Sequence, residues 1–346
     1  MNILIFVVYD GILNSVFEGQ VLKPLAKKVT SENFDCAYLI SFEKENISSI
    51  KLDDFKSKYE KIKFVILKRN SFIISSFLFP EIFLLKKCLK SIERYEIIAR
   101  GALAGFITQR ALDVKKCSKL TIQARGLLAE EYAYEHKDVI GLKKYFYQWR
   151  TKCYLNIEKS VFGKIQIFKP YVIEVVSDAL KKYLVDVCGS DSDACVLAQS
   201  DIPEKFDPVT VLSWRTEGRN KLKIPSNAIV YCFSGAVKTW QCPELVIDYF
   251  KKCYEDDKRS FLLVLTFDVN QFQDQLKKIF PMSAFYVICV SHDDIYKFLS
   301  IADKGFVFRQ PNIVSWVSRP VKAMEYEAVG LPIIHNNTVD WLMKRL

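Results

Sequence analysis

Residues 318–334, Ser-Arg-Pro-Val-Lys-Ala-Met-Glu-Tyr-Glu-Ala-Val-Gly-Leu-Pro-Ile-Ile, carry the strongest structural signal in this chain. Ser318 and Pro320 are typical of a helix start, where the first backbone N–H groups are free to bind an anion. Glu325 follows seven residues after Ser318, which predicts a position two turns along the same helix face. Gly330 predicts the end of the helix, and the Leu-Pro-Ile-Ile after it predicts a buried strand. This order of elements is a binding-site layout.

Strand and helix patterns alternate along most of the chain. The predicted strands are residues 2–8, 36–41, 63–67, 97–98, 119–123 and 171–176 in the first half, and residues 228–233, 261–266, 285–290 and 305–308 in the second. Helical patterns separate them, starting with residues 15–29, so the sheets are predicted to be mostly parallel and doubly wound. Turn residues are dense in 189–226, which predicts a hinge between domains 1–200 and 201–346.

The composition predicts a folded chain with anionic partners. Its 346 residues exceed one ordinary domain, and half of them are hydrophobic, so two cores can form and disorder is not expected. The formal net charge of +10 favours nucleoside diphosphates, phospholipid head groups or nucleic acid as partners. Lysines scattered over helix surfaces would give the same total.

Several common sites are absent from the sequence. Neither half contains the Gly-x-Gly-x-x-Gly fingerprint of dinucleotide-dependent dehydrogenases, and there is no P-loop. The ten cysteines form no Cys-x-x-Cys pair and there are only three histidines, so no zinc site is predicted. We expect reduced cysteines that act as small apolar residues, which, with no secretory signal at the start, favours the cytoplasm.

Residues 72–85 form the longest apolar run, and basic residues flank it on both sides. The run is too short to span a bilayer. A helix of this kind can lie on an anionic membrane surface, which would make the protein peripheral at the cytoplasmic face. Packing in the core of the first domain is the alternative and the favoured interpretation.

Five further segments combine with residues 318–334 in a family resemblance. They are residues 16–22 (Val-Phe-Glu-Gly-Gln-Val-Leu), 39–43 (Leu-Ile-Ser-Phe-Glu), 97–101 (Ile-Ile-Ala-Arg-Gly), 123–126 (Gln-Ala-Arg-Gly) and 234–240 (Ser-Gly-Ala-Val-Lys-Thr-Trp). In this order they resemble the retaining GT-B glycosyltransferases of the family-4 type (glycosyl transferases group 1). The resemblance implies an α/β protein of GT-B architecture, with two Rossmann-like doubly wound parallel-sheet domains facing a cleft. The second domain would bind the donor and be short at its C-terminus.

The resemblance also implies site residues in the donor domain. In the family the glutamate matched by Glu325 holds the donor ribose, and the Pro-x-Lys segment lies beside the diphosphate and sugar. The expected donor-binding residues are Gly235, Thr239, Ser318, Arg319, Pro320 and Glu325. The expected catalytic residues are Lys238, Arg309, Lys322 and Glu325. The alternatives are a solvated Lys238 in an ordinary turn and a Glu325 on the helix surface, paired with Lys322.

On the acceptor side we expect Gly11, Gln20, Arg100 and Arg125. Arg100, Arg125 and Arg309 each follow a predicted strand, at the edge where open α/β sheets bind ligands. Surface salt bridges are the alternative for each arginine. Glu130 and Glu131 are predicted to begin a helix and to support Arg125.

The function implied is transfer of a sugar from a nucleoside-diphosphate sugar to a hydroxyl of a glycan, lipid-linked or surface-polymer acceptor, with retention. No metal, other cofactor or nucleic acid is implied. The chain departs from the family at Ile98, Gln123, Lys238 and Val317, and the family's usual C-terminal helices are not expected. A degenerate, binding-only protein and a sugar-nucleotide epimerase of the same architecture are therefore the alternatives.

Overall fold

The computed structural model describes residues 2–13, 17–45, 47, 49–69, 80–163, 170–291 and 293–345. The chain divides into two compact units, Met1–Asp201 and Ile202–Leu346. Each unit is an α/β layer structure.

The described residues of the first unit form a seven-stranded parallel sheet. Its strands are β1 (Ile3–Val8), β2 (Cys36–Glu43), β3 (Ile62–Lys68), β4 (Tyr95–Arg100), β5 (Cys117–Ala124), β6 (Tyr171–Val175) and β7 (Cys195–Leu197). The spatial order is β3-β2-β1-β4-β5-β6-β7. The helices are α1 (Lys23–Ser31), α2 (Ser49–Lys58), α3 (Pro80–Lys90), α4 (Gly101–Ala111), α5 (Leu128–Glu135), α6 (Leu142–Phe162) and α7 (Asp178–Tyr183).

The second unit repeats this topology with five parallel strands. They are β8 (Ile229–Ser234), β9 (Ser260–Leu265), β10 (Phe285–Ile288), β11 (Lys304–Val307) and β12 (Ile333–His335), in the order β10-β9-β8-β11-β12. The helices are α8 (Pro208–Lys221), α9 (Pro243–Asp256), α10 (Val269–Lys277), α11 (Ile295–Leu299), α12 (Ile313–Val317), α13 (Val321–Ala328) and α14 (Asp340–Met343). The predicted GT-B fold class, with two parallel-sheet domains, is confirmed.

Alternation along β8 shows how the second sheet is buried on both faces. Val230 and Cys232 pack in a core that includes α13, while Tyr231 and Phe233 pack in a core that includes α9. Successive strand residues point to opposite faces, so a continuous apolar run marks a sheet covered on both sides. The same reasoning predicted β1 and β2 in the first unit.

One prediction about secondary structure was wrong. The segment 189–226, predicted to be turns at a hinge, contains β7 and the whole of α8, while the boundary between the two units, after Asp201, falls within it. The Asp207 side chain caps α8 by accepting the Thr210 N–H at 3.0 Å, and Pro208 occupies the first turn. No residue of α8 is fully buried, so the helix has no apolar stripe that sequence periodicity could detect.

The helix predicted at residues 15–29 begins, within the described residues, as a π-helical turn at Glu18–Leu22 and continues as α1 to Ser31. Of the apolar run at residues 72–85, only the part from Pro80 onward lies in the described residues, where it starts α3. No helix in the described ranges is long and apolar enough to cross a bilayer. All ten cysteines are free thiols.

Candidate functional site

Each sheet has a switch point beside its first strand. β1 lies between β2 and β4, and β8 lies between β9 and β11. In open α/β sheets ligands bind at the carboxyl ends of the strands on either side of this reversal. Gly11 follows β1 and Arg100 ends β4, while Gly235 follows β8 and Arg309 follows β11. Four predicted site residues therefore lie at the two switch points.

Lys322 lies in the first turn of α13 and is buried, with 8% of its surface exposed. Its ammonium donates to Gln241 Oε1 at 2.6 Å and lies 4.3 Å from the centroid of the Phe233 ring. Burial and the nearby Arg309 hold the pKa of Lys322 well below its usual range, against the opposing effect of Glu325. A buried cation with a second cation nearby is a strong attractor for an anion.

Gly235 lies next to the ammonium of this lysine, and its φ is +149°. A Cβ atom at this position would overlap Gln241 Oε1 and lie 2.9 Å from Lys322 Nζ. The space above the glycine is thus occupied by the Gln241–Lys322 hydrogen bond. The absence of a side chain at position 235 is therefore needed for that pair.

Glu325 is partly buried on α13, one turn beyond Lys322. Burial raises the pKa of Glu325 to about 7, and the neighbouring Lys322 opposes the rise. The interpretation of Glu325 as an exposed, lysine-paired glutamate does not fit, because Lys322 donates to Gln241 and the carboxyl is partly shielded from water.

Arg309 is held by the loop that follows β12. Its N–H donates to Asn336 Oδ1 at 3.2 Å, and its carbonyl accepts from Asn336 Nδ2 at 2.8 Å and from Thr338 Oγ1 at 3.2 Å. Burial lowers the pKa of the Arg309 guanidinium. These contacts fix the backbone from which the arginine side chain projects.

The remaining predicted residues of the second unit include both buried and exposed side chains. Pro320 is the N-cap of α13, but the predicted helix start at Ser318 is wrong, because the Ser318 hydroxyl donates to Ser315 O at 2.8 Å at the end of α12. Arg319 is buried, whereas Lys238 is exposed with its ammonium 4.8 Å from the Trp240 ring centroid.

Thr239 lies in the short 3₁₀ turn Thr239–Gln241, and its side chain is outside those that the structure describes.

In the first unit, the loop that contains Gly11 is held by the buried carboxylate of Glu43. The φ of Gly11 is +83°, and a Cβ there would lie 2.7 Å from Glu43 Oε2. Glu43 Oε1 accepts from the Ile12 N–H at 2.9 Å and from the Ser41 hydroxyl. The loop after β1 therefore requires a glycine and is fixed from β2.

Arg100 and Arg125, which were predicted to lie on the acceptor side, have partners within the same unit. Arg100 Nη2 donates to Gln20 Oε1, which brings two predicted residues together. The pKa of Arg100 is lowered to about 10 by burial and by Arg125. Arg125 forms an ion pair with Asp201.

The prediction that Glu130 and Glu131 support Arg125 is wrong, because the carboxylate that pairs with Arg125 belongs to Asp201. Glu130 accepts instead from the Tyr183 hydroxyl at 3.2 Å. Closeness in sequence therefore did not identify the carboxylate that pairs with Arg125, because the fold brings Asp201 to it instead.

Sequence reasoning missed three residues at the β8 switch point. Gln241 binds Lys322, Asp268 accepts the Val237 N–H at 2.7 Å, and the Tyr326 hydroxyl accepts the Ser234 N–H at 3.1 Å. Tyr326 lies next to Glu325 within residues 318–334, so the sequence could have indicated it as a site residue. Nothing in the sequence pointed to Gln241 or Asp268.

Comparison with solved structures identifies the fold. The chain is similar to Anabaena Alr3699/HepE in complex with UDP and glucose (TM-score 0.64, 12% identity, 99% of this chain and 82% of that chain). It is also similar to WaaG, a glycosyltransferase involved in lipopolysaccharide biosynthesis (0.64, 13%, 99% and 83%). A putative UDP-N-acetylglucosamine 2-epimerase from Listeria monocytogenes is similar too (0.52, 9%, 96% and 78%). No protein-family model and no curated protein sequence matches the chain.

Proposed function

We propose that this chain is a retaining glycosyltransferase that moves a sugar from a nucleoside-diphosphate sugar to a hydroxyl acceptor. The observation that carries the proposal is the group of Lys322, Arg309 and Glu325 at the switch point of the second sheet. Two neighbouring cations suit a diphosphate, and a carboxylate suits the two hydroxyls of a ribose. The similarity to HepE in complex with UDP-glucose supports the same ligand class.

In this proposal the leaving diphosphate does the proton chemistry. As the bond from the anomeric carbon to the diphosphate breaks, a phosphate oxygen takes the acceptor's hydroxyl proton, and the new bond forms on the same face. Lys322, Arg309 and Lys238 stabilise the growing negative charge, so catalysis is mainly positioning and electrostatics. Because these cations supply the positive charge, the proposed reaction does not require a metal ion.

The acceptor is proposed to be a glycan, a lipid-linked sugar or a surface-polysaccharide precursor, met by Gly11, Gln20, Arg100 and Arg125. The first switch point supports this assignment, since Arg100 and Gln20 are hydrogen-bonded there. The two arginines suit an acceptor with phosphate or carboxylate groups.

Peripheral attachment at the cytoplasmic face of a membrane is the second part of the proposal, and α6 supports it. Four large apolar side chains recur on this helix with the spacing of one face, and each is at least 45% exposed: Leu142, Tyr145, Phe146 and Trp149. The exposed charged residues of α6 are lysines: Lys143, Lys144, Lys152 and Lys159. Aromatic and basic side chains on one exposed helix suit an anionic lipid surface.

A sugar-nucleotide epimerase and a binding-only protein are the competing functions, and the Listeria structure favours the first of these two. Calorimetry with UDP-, GDP- and ADP-sugars, followed by product analysis in EDTA, separates all three. A transferase binds one donor, releases nucleoside diphosphate and keeps this activity in EDTA. An epimerised sugar nucleotide, or tight binding without turnover for every donor, would overturn the proposal.

A further inference from the structure

Gln241 occupies an unusual place at the β8 switch point. It ends the Thr239–Gln241 turn, and its backbone N–H donates to Lys238 O at 2.8 Å, so the turn is closed on itself. Its side-chain oxygen reaches back over Gly235 and accepts from Lys322 Nζ at 2.6 Å. The turn after β8 and the start of α13 are thereby joined, although 81 residues separate the two partners.

We propose that Gln241 is a positioning residue whose side-chain oxygen holds the Lys322 ammonium over Gly235, ready for a phosphate oxygen of the ligand. The identity of that ligand rests on the proposed function. The role of Gln241 toward Lys322 does not, because both partners belong to this chain.

The surroundings of Lys322 explain why it needs such a partner. Burial and the nearby Arg309 favour loss of the lysine's proton, while Glu325 favours its retention. A hydrogen bond to the charged form also favours that form. The Phe233 ring face below the ammonium acts in the same direction.

A neutral acceptor is the suitable partner for an anion site. The carboxamide oxygen stabilises the ammonium without cancelling its charge, so the attraction for a phosphate group is kept. A glutamate at position 241 would stabilise the ammonium more strongly, but it would also neutralise the site and repel the ligand. Gln241 thus holds Lys322 in its charged form, and the positive charge remains available to attract a phosphate group.

The test measures the lysine directly. In protein carrying ¹³C-labelled lysine, the Lys322 signal is assigned with Lys322→Arg, and its titration is compared in wild type, Gln241→Leu and Gln241→Glu. We expect the Lys322 pKa to fall by about one pH unit in Gln241→Leu and to rise in Gln241→Glu. Gln271→Leu, on the exposed side of α10, is the control and should leave the titration unchanged.

Binding of UDP is then measured from pH 6 to 9. Gln241→Leu should bind more weakly than wild type by up to about tenfold, with the difference growing as pH rises, since more Lys322 is then neutral. Gln241→Glu should bind weakly at every pH. If Gln241→Leu proves unstable, Gln241→Met replaces it.

An unchanged Lys322 titration in folded Gln241→Leu overturns the role of Gln241. A lowered titration in a protein whose wild type binds no nucleoside diphosphate supports Gln241 and overturns the proposed function instead.

Discussion

Glu325 is the residue on which the nucleotide assignment depends most. Glu325→Gln should weaken nucleoside-diphosphate binding by about 1.5–3 kcal/mol, because an amide accepts the ribose hydroxyls less well than a carboxylate. Burial raises the pKa of Glu325 to about 7, so the carboxylate forms as pH rises through 7. Wild-type affinity should therefore increase between pH 6 and 8 by a step that the variant lacks, as measured by calorimetry.

Glu327→Gln is the matched control for this prediction. Glu327 lies two residues along the same helix and pairs with Arg345, so its loss should leave nucleotide binding unchanged. Equal affinities for wild type and Glu325→Gln at pH 8 would remove Glu325 from the site.

Lys238 is a residue whose exposed position leaves two roles open, and kinetics decides between them. Lys238→Ala should lower the turnover number while leaving the melting temperature almost unchanged, because the lysine is proposed to meet charge that grows only as the bond breaks. The contact of its ammonium with the Trp240 ring contributes only about 0.5–1 kcal/mol to folding stability, because the site is exposed. Lys258→Ala removes a similar contact with Tyr254 in α9 and is the control. A variant with full turnover would make Lys238 an ordinary solvated side chain.

At the scale of single elements, a buried carboxylate links α5 to α6. Glu158 of α6 is fully buried, and its carboxylate accepts the Leu128 N–H at 2.6 Å and the Ala129 N–H at 3.4 Å. These are the first N–H groups of α5, so Glu158 caps a helix to which it does not belong. Burial nevertheless raises the pKa of Glu158 to about 7, from an ordinary value of 4.5.

This cap predicts a pH dependence of stability. Because the folded pKa lies above the unfolded one, the protonated form is favoured by folding. The contribution is complete below pH 4.5 and lost as pH rises to about 7. Wild type should lose on the order of 3 kcal/mol of unfolding free energy over this range relative to Glu158→Gln. Urea unfolding at pH 5 and pH 7.5 measures the difference, with the exposed Glu255→Gln as control. Parallel pH profiles for wild type and Glu158→Gln would contradict it.

For the whole molecule, the net charge of +10 and the exposed face of α6 predict salt-sensitive membrane binding. Attraction to an anionic leaflet contributes about 1 kcal/mol per basic residue near the surface and is screened by salt. Co-sedimentation should show binding to anionic vesicles that falls as salt rises, and none to neutral vesicles.

The double variant Phe146→Ser/Trp149→Ser should bind less, whereas Val209→Ser/Leu212→Ser, on the exposed face of α8, should bind like wild type. Wild type that stays in the supernatant with both kinds of vesicle would make a soluble acceptor the better proposal.

Much of the architecture was determined by sequence alone. Apolar runs predicted β1, β2, β8 and β9 because both faces of a parallel sheet are covered. Gly330 predicted the end of α13, where its φ of +68° lets the Leu331 N–H donate to Tyr326 O at 2.9 Å. Arg100 and Arg309 could be assigned to a ligand-binding edge, since carboxyl ends of parallel strands lie together.

Only the tertiary structure decided which side chains meet at those edges. Lys322 binds Gln241 from 81 residues away, and Arg125 pairs with Asp201 across 76 residues rather than with a nearby glutamate. Periodicity and capping are local properties, so they determine elements and their ends. Pairing between distant segments depends on how those elements pack, and no local pattern encodes it. The helix α8 was missed for a related reason, because a helix without a buried face leaves no periodic apolar signal.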